Sequence, residues 1–90
     1  MKFLLNRSLE LQLKEAKLKN PKLFKKIQKQ LKLFLEDHKH PSLRLHKLKG
    51  ILSEKWSISI EKDMRLLFYI RNGRAIFYIL GTHDQVYRDK

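Results

Sequence analysis

Apolar and polar positions follow two different periods along the chain. From Trp56 to Glu61 they alternate without error, Trp, Ile and Ile on one side and Ser, Ser and Glu on the other, as a half-buried strand requires. Two further strand-like segments follow, Arg65 to Ile70 and Ala75 to Leu80, joined by Arg71-Asn72-Gly73-Arg74. Asn-Gly supplies the positive φ values of a two-residue type I′ hairpin. Counting outward from that turn pairs Ile70 with Ala75, Phe68 with Phe77 and Leu66 with Ile79 on one face. It pairs Tyr69 with Ile76, Leu67 with Tyr78 and Arg65 with Leu80 on the other. A turn at Lys62-Asp63-Met64 would set Glu61 opposite Arg65, Ser59 opposite Leu67 and Ser57 opposite Tyr69. Trp56, Ile58, Ile60, Phe68 and Phe77 then share the face that must cover a core. Ser57, Ser59, Glu61 and Arg65 fall on the open face, with Leu67, Tyr69, Ile76 and Tyr78 around them. Gly81-Thr82-His83 follows directly, so the arithmetic expects an arginine, a carboxylate and a histidine at one end of that face.

The first half repeats at spacings of three and four instead. Lys2 to Leu5 is a short strand-like run, broken at Asn6-Arg7-Ser8, where Ser8 can cap a helix to about residue 19. Leu9, Leu13 and Ala16 form its stripe, widened by Leu11 and Leu18. Asn20-Pro21 reads as N-cap and first helical residue of a second helix reaching about residue 37. Phe24, Ile27, Leu31 and Phe34 face inward, and Lys22, Lys25, Lys26 and Lys29 form the opposite stripe, a solvated face or a nucleic-acid face. Leu43 to Lys49 alternates as a short irregular strand. The expected order is β-α-α-β-β-β-β over residues 1–90 as one domain. Its class is α+β, a two-helix hairpin packed on one face of a small, mainly antiparallel twisted sheet.

Composition narrows the chemistry. Without cysteine there is no disulfide and no thiolate metal site. His38 and His40 lack a carboxylate or thiol at ligand spacing, so no metal and no cofactor is expected. No apolar run approaches the roughly 20 residues of a membrane span, and the apolar start is too short for a signal peptide, so a soluble cytoplasmic protein is expected. Lys and Arg number 21 against 9 Asp and Glu, a net +12 that favours a polyanion or an acidic protein partner. The excess is uneven. Residues 1–55 hold 15 basic against 5 acidic side chains, +10, which leaves +2 for residues 56–90.

The helical hairpin, Leu45-His46-Lys47-Leu48-Lys49-Gly50, Trp56-Ser57-Ile58, Arg65-Leu66-Leu67-Phe68-Tyr69 and Gly81-Thr82-His83-Asp84-Gln85-Val86-Tyr87 together resemble the RelE/ParE toxin superfamily of type II toxin–antitoxin systems. The resemblance spans essentially the whole chain. It implies a small basic fold in which helices back a sheet whose open face cleaves messenger RNA in the ribosomal A site. The implied partners are a cognate antitoxin, the ribosome and mRNA. In the ParE branch the same fold inhibits DNA gyrase without nuclease chemistry. A third alternative is an inactive module that only binds an antitoxin.

Metal-free RNA cleavage needs a base for the 2′-hydroxyl, an acid for the leaving 5′-oxygen and cations for the phosphate. The resemblance places His83 as the acid or base, at the terminal histidine of YafQ-like and YoeB-like members. Arg65, which opens the strand Arg-Leu-hydrophobic-Tyr, is implied to hold the scissile phosphate. His46 matches a histidine of YafQ-like members, and Glu61 is a candidate general base. Tyr87 is implied to stack on RNA, with Lys47, Lys49 and Arg88 as phosphate contacts. RelE-type members carry lysines where this chain has Ser57 and Ser59. That departure favours a histidine and carboxylate mechanism over a lysine-driven one.

Overall fold

The computed structural model describes residues 1–48 and 54–82. Strand β1 (Phe3–Leu5) leads into helices α1 (Arg7–Lys19) and α2 (Pro21–Glu36). A 3-10 turn (Pro41–Leu43) and the short strand β2 (His46–Lys47) follow. Strands β3 (Trp56–Glu61), β4 (Met64–Arg71) and β5 (Arg74–Thr82) complete a five-stranded sheet of order β1-β5-β4-β3-β2. All neighbours are antiparallel except β1, which runs parallel to β5 at one edge. This is the expected order and class.

Both helices start on asparagine. Asn20 Oδ1 accepts from the Leu23 N–H with Pro21 first in the helix, as expected. For α1 the cap is Asn6, whose Oδ1 accepts from the Leu9 N–H at 2.9 Å, and not Ser8. Asn and Ser serve equally well as caps, and the helix extends to the earlier one. Leu9 and Leu13 are buried, whereas Leu11 and Leu18 stand on the solvent side. The predicted α2 stripe holds, with Ile27, Leu31 and Phe34 buried and Phe24 packed against them. Phe34 lies at the centre, edge-on to Phe3, Phe68 and Phe77 with centroids 5.1–6.2 Å apart. His38 packs against Phe34, and the His40 ring accepts from the Ser42 N–H, so each has a local structural part. The strand expected over residues 43–49 is reduced to His46–Lys47, because Pro41 starts a 3-10 turn and Arg44 adopts φ 47°.

The hairpin turn is as read, with Asn72 at φ 52° and Gly73 at φ 74°. Ile70–Ala75, Tyr69–Ile76 and Phe68–Phe77 pair as counted. Beyond them the register slips by one, and Leu67 pairs with Ile79, Leu66 with Leu80 and Arg65 with Gly81. Tyr78 is the extra residue of a bulge. It lets Tyr78 and Ile79 both face away from the helices, where they join Leu48 and Leu67 in a second apolar cluster, and it sends Leu80 into the main core. The next turn is also corrected. It holds two residues, Lys62 and Asp63, so Met64 lies opposite Glu61 and Arg65 lies opposite Ser59. A bulge at Ile60 restores the parity, keeping Trp56, Ile58 and Ile60 on the helix side as expected. Buried Gln30 supports that bulge, donating from Nε2 to the Ser59 carbonyl at 2.8 Å and the Ser42 carbonyl at 3.3 Å.

Strand β1 ends before β5 does, and Gln12 takes its place at the edge. Its Nε2 donates to the Leu80 carbonyl at 3.0 Å, and its Oε1 accepts from the Leu80 N–H at 3.2 Å. A side-chain amide thus completes the ladder as a strand residue would. Gln12→Ala should lower the unfolding free energy by about 1–3 kcal/mol, two modest hydrogen bonds in a partly buried place. A urea melt reads this, and an unchanged midpoint would mean that water replaces the amide at no cost.

Candidate functional site

The sheet face away from the helices is organised in rows. His46 lies opposite Ser57, which lies opposite Leu67 and then Ile79. One row along, Ser59 stands opposite Arg65, and Arg65 opposite Gly81. Arg65 is half-buried and makes no ion pair among the described residues. His46 is exposed, two strands and one row from Arg65, about 12 Å at ordinary sheet spacings. Strand β5 ends at Thr82 and the chain continues to His83. His83, Tyr87, Arg88 and Lys49 lie outside the described residues.

Two expectations about this face change. Ser57, expected on open surface, is fully buried, and its Oγ has no partner among the described residues. Leu67 is buried with Leu48 over the same part of the sheet, so this face carries a small core of its own. Glu61 does not stand beside Arg65. Its carboxylate lies 2.7 Å from Lys26 Nζ of α2, because the two-residue turn and the bulge at Ile60 swing it toward the helix layer.

Cations gather at the far end of the face. Lys55 Nζ sits 4.6 Å from the Tyr69 ring centroid and 5.6 Å from that of Tyr78. The Arg71 guanidinium lies 5.3 Å from Tyr69, and round the end of the sheet, on the helix side, Lys47 Nζ lies 5.7 Å from Trp56. Lys55 and Arg71 were not singled out from sequence. The signal was present, since Lys55 immediately precedes Trp56 and alternation puts it on the Ser57 side. No group of three or more His, Asp or Glu among the described residues could hold a metal ion, and no described helix is long and apolar enough to cross a membrane.

Burial holds the Tyr78 hydroxyl above its ordinary pKa of 10.0, and the nearby Tyr69 adds to the shift. Above pH 10 the unfolded chain releases a proton that the folded chain still keeps, so rising pH favours unfolding there. This contribution to stability is complete below about pH 10 and is lost as pH climbs through the folded-state value. Tyr78→Phe should melt in parallel with the native chain up to that pH and fall less steeply above it. Parallel melting curves throughout would show that the hydroxyl is solvated.

No family model matches the sequence, and no curated protein does. Solved structures match it closely in shape. The YoeB/ParE toxin from Agrobacterium tumefaciens superposes with a TM-score of 0.77 at 16% identity, over 92% of this chain and 99% of that one. YafQ from E. coli strain BL21(DE3) gives 0.76 at 16% identity, over 96% and 97%. The heterotetrameric YoeB-YefM toxin-antitoxin complex from Staphylococcus aureus gives 0.74 at 19% identity, over 92% and 97%. At such identities the shared property is the fold, and the chain has the fold of the YoeB, ParE and YafQ toxins, the one its resemblance to the RelE/ParE superfamily implies.

Proposed function

We propose that this chain is the toxin of a type II toxin–antitoxin pair, an endoribonuclease that cuts messenger RNA in the ribosomal A site without a metal ion. The observation that carries the reading is Arg65. Its backbone is paired on both sides, between Ser59 and Gly81, its guanidinium side chain belongs to the face away from the helices, and it has no carboxylate partner among the described residues. A phosphate is the counter-ion such a group suits best, held by two parallel N–H bonds.

In the proposed step one histidine accepts the proton of the ribose 2′-hydroxyl. The 2′-oxygen bonds to phosphorus as the bond to the 5′-oxygen breaks, and an acid returns a proton to that leaving oxygen. The products are a 2′,3′-cyclic phosphate and a 5′-hydroxyl. Arg65 neutralises the charge that builds on the phosphate. His83 and His46 carry the protons, and Glu61 stays with Lys26. Tyr87 stacks on a base, while Lys47, Lys49 and Arg88 hold flanking phosphates.

The antitoxin partner follows from the same reading. The Staphylococcus aureus neighbour is a toxin seen assembled with YefM. A chain of net +12 suits an acidic segment that folds as it binds. Induced alone, the chain should arrest growth and leave new 5′ ends within translated frames. Co-expression with the product of the adjacent reading frame should restore growth and yield a stable complex. Growth arrest with intact messages, or a neighbour that does not co-purify, counts against the proposal.

A further inference from the structure

Resting on the RNA-cleaving reading, we propose a second nucleotide subsite at the end of the sheet where β3 begins and β4 finishes, with Tyr69 and Tyr78 as stacking surface and Lys55 and Arg71 as phosphate contacts. A cleft of about 740 Å³ opens there, bordered by Lys47, Glu54, Lys55, Trp56, Tyr69, Ile70 and Arg71. Three of these seven are cations. None of the three has an ion pair among the described residues, although Glu54 shares the cleft. Their charges rest instead on aromatic rings, Lys55 between Tyr69 and Tyr78, Arg71 over Tyr69 and Lys47 over Trp56. A ring face attracts a cation without cancelling its charge, so the cleft keeps a positive field.

The occupant that uses both features is single-stranded RNA. Phosphate draws Lys55 and Arg71 outward, and the ring faces they leave are what a base stacks on. Tyr69 and Tyr78 lie with centroids 5.8 Å apart and a 45° tilt, a platform built by the ladder and by the bulge at Tyr78. A helical peptide would need an apolar groove, and this cleft is lined mainly by charged side chains. Tyr69 is four residues along β4 from Arg65 on the same face, about 13 Å away. At that backbone spacing Tyr69 can hold the neighbouring nucleotide, on a path that an extended RNA can follow. The subsite holds nucleotides flanking the cut and takes no part in the cut itself.

The test measures binding and cleavage separately. Anisotropy of a labelled single-stranded oligouridylate should show roughly 5- to 150-fold weaker binding in Tyr69→Leu. Lys55→Gln with Arg71→Gln should lower the slope of log affinity against log salt by about 1.4, roughly 0.7 for each lost contact. Lys22→Gln with Lys25→Gln on exposed α2 removes equal charge and should leave that slope unchanged. In A-site cleavage Tyr69→Leu should lose kcat/KM while keeping its single-turnover rate at saturating message. Oligouridylate binding that is absent in the native chain, or equal in Tyr69→Leu, overturns the subsite. So does a slope that falls as much in the α2 pair, or an affinity loss confined to a glutamate-rich peptide. Native protein that binds through Tyr69 but cuts no message keeps the subsite and fails the nuclease reading. Native protein that cuts, with kcat/KM unchanged in Tyr69→Leu, does the reverse.

Discussion

On the proposed mechanism, replacing His83 by glutamine should slow mRNA cleavage by roughly 10²–10⁴-fold, the usual worth of a positioned proton carrier. Imidazole titrates near neutrality, so it can take a proton and return it within one turnover. Glutamine keeps the size and the hydrogen bonding and removes the titration. Ribosome binding should therefore persist while the chemical step falls. Single-turnover cleavage with binding measured separately reads both quantities. Full activity in His83→Gln would eliminate this histidine and move proton transfer to His46 or to Glu61, which would then have to leave Lys26.

On the same mechanism, Arg65→Ala should lower the cleavage rate by roughly 10²–10³-fold, the cost of deleting one group aimed at developing charge. It should weaken message binding as well, which separates it from His83→Gln. Stability should change little, because the guanidinium makes no ion pair among the described residues. Arg65→Lys restores the charge but not the two-pronged contact, so it should recover only part of the loss. Equal activity in Arg65→Ala and the native chain would remove the phosphate from this row of the sheet.

The fold was legible where one residue type has one use. Asn72-Gly73 dictated the hairpin, Asn20-Pro21 the second helix, and the alternation from Trp56 to Ile60 the inward face. The site was less legible because two bulges leave no mark in composition. Ile79 and Leu80 are both aliphatic, so either could have faced the core, and only packing chose Leu80. The bulge at Ile60 had a larger consequence, since it parts Glu61 from Arg65 and gives it to Lys26. Leu11 and Leu18 lie close enough to the α1 stripe that periodicity alone could not place them in solvent. Lys55 is not legible as a site residue because a lysine beside a tryptophan reads as surface, and only the fold brings Tyr69 and Tyr78 around it. His83 and Tyr87 rest on the sequence resemblance, as neither is among the described residues.

The most direct measurement is single-turnover incubation of the purified chain with a ribosome whose A site holds a defined codon, with the message ends mapped afterwards. Cleavage within that codon, leaving a 2′,3′-cyclic phosphate and strongly reduced in Arg65→Ala, is the predicted result. An intact message, together with inhibition of DNA gyrase supercoiling by the same preparation, would contradict it and select the ParE-like reading.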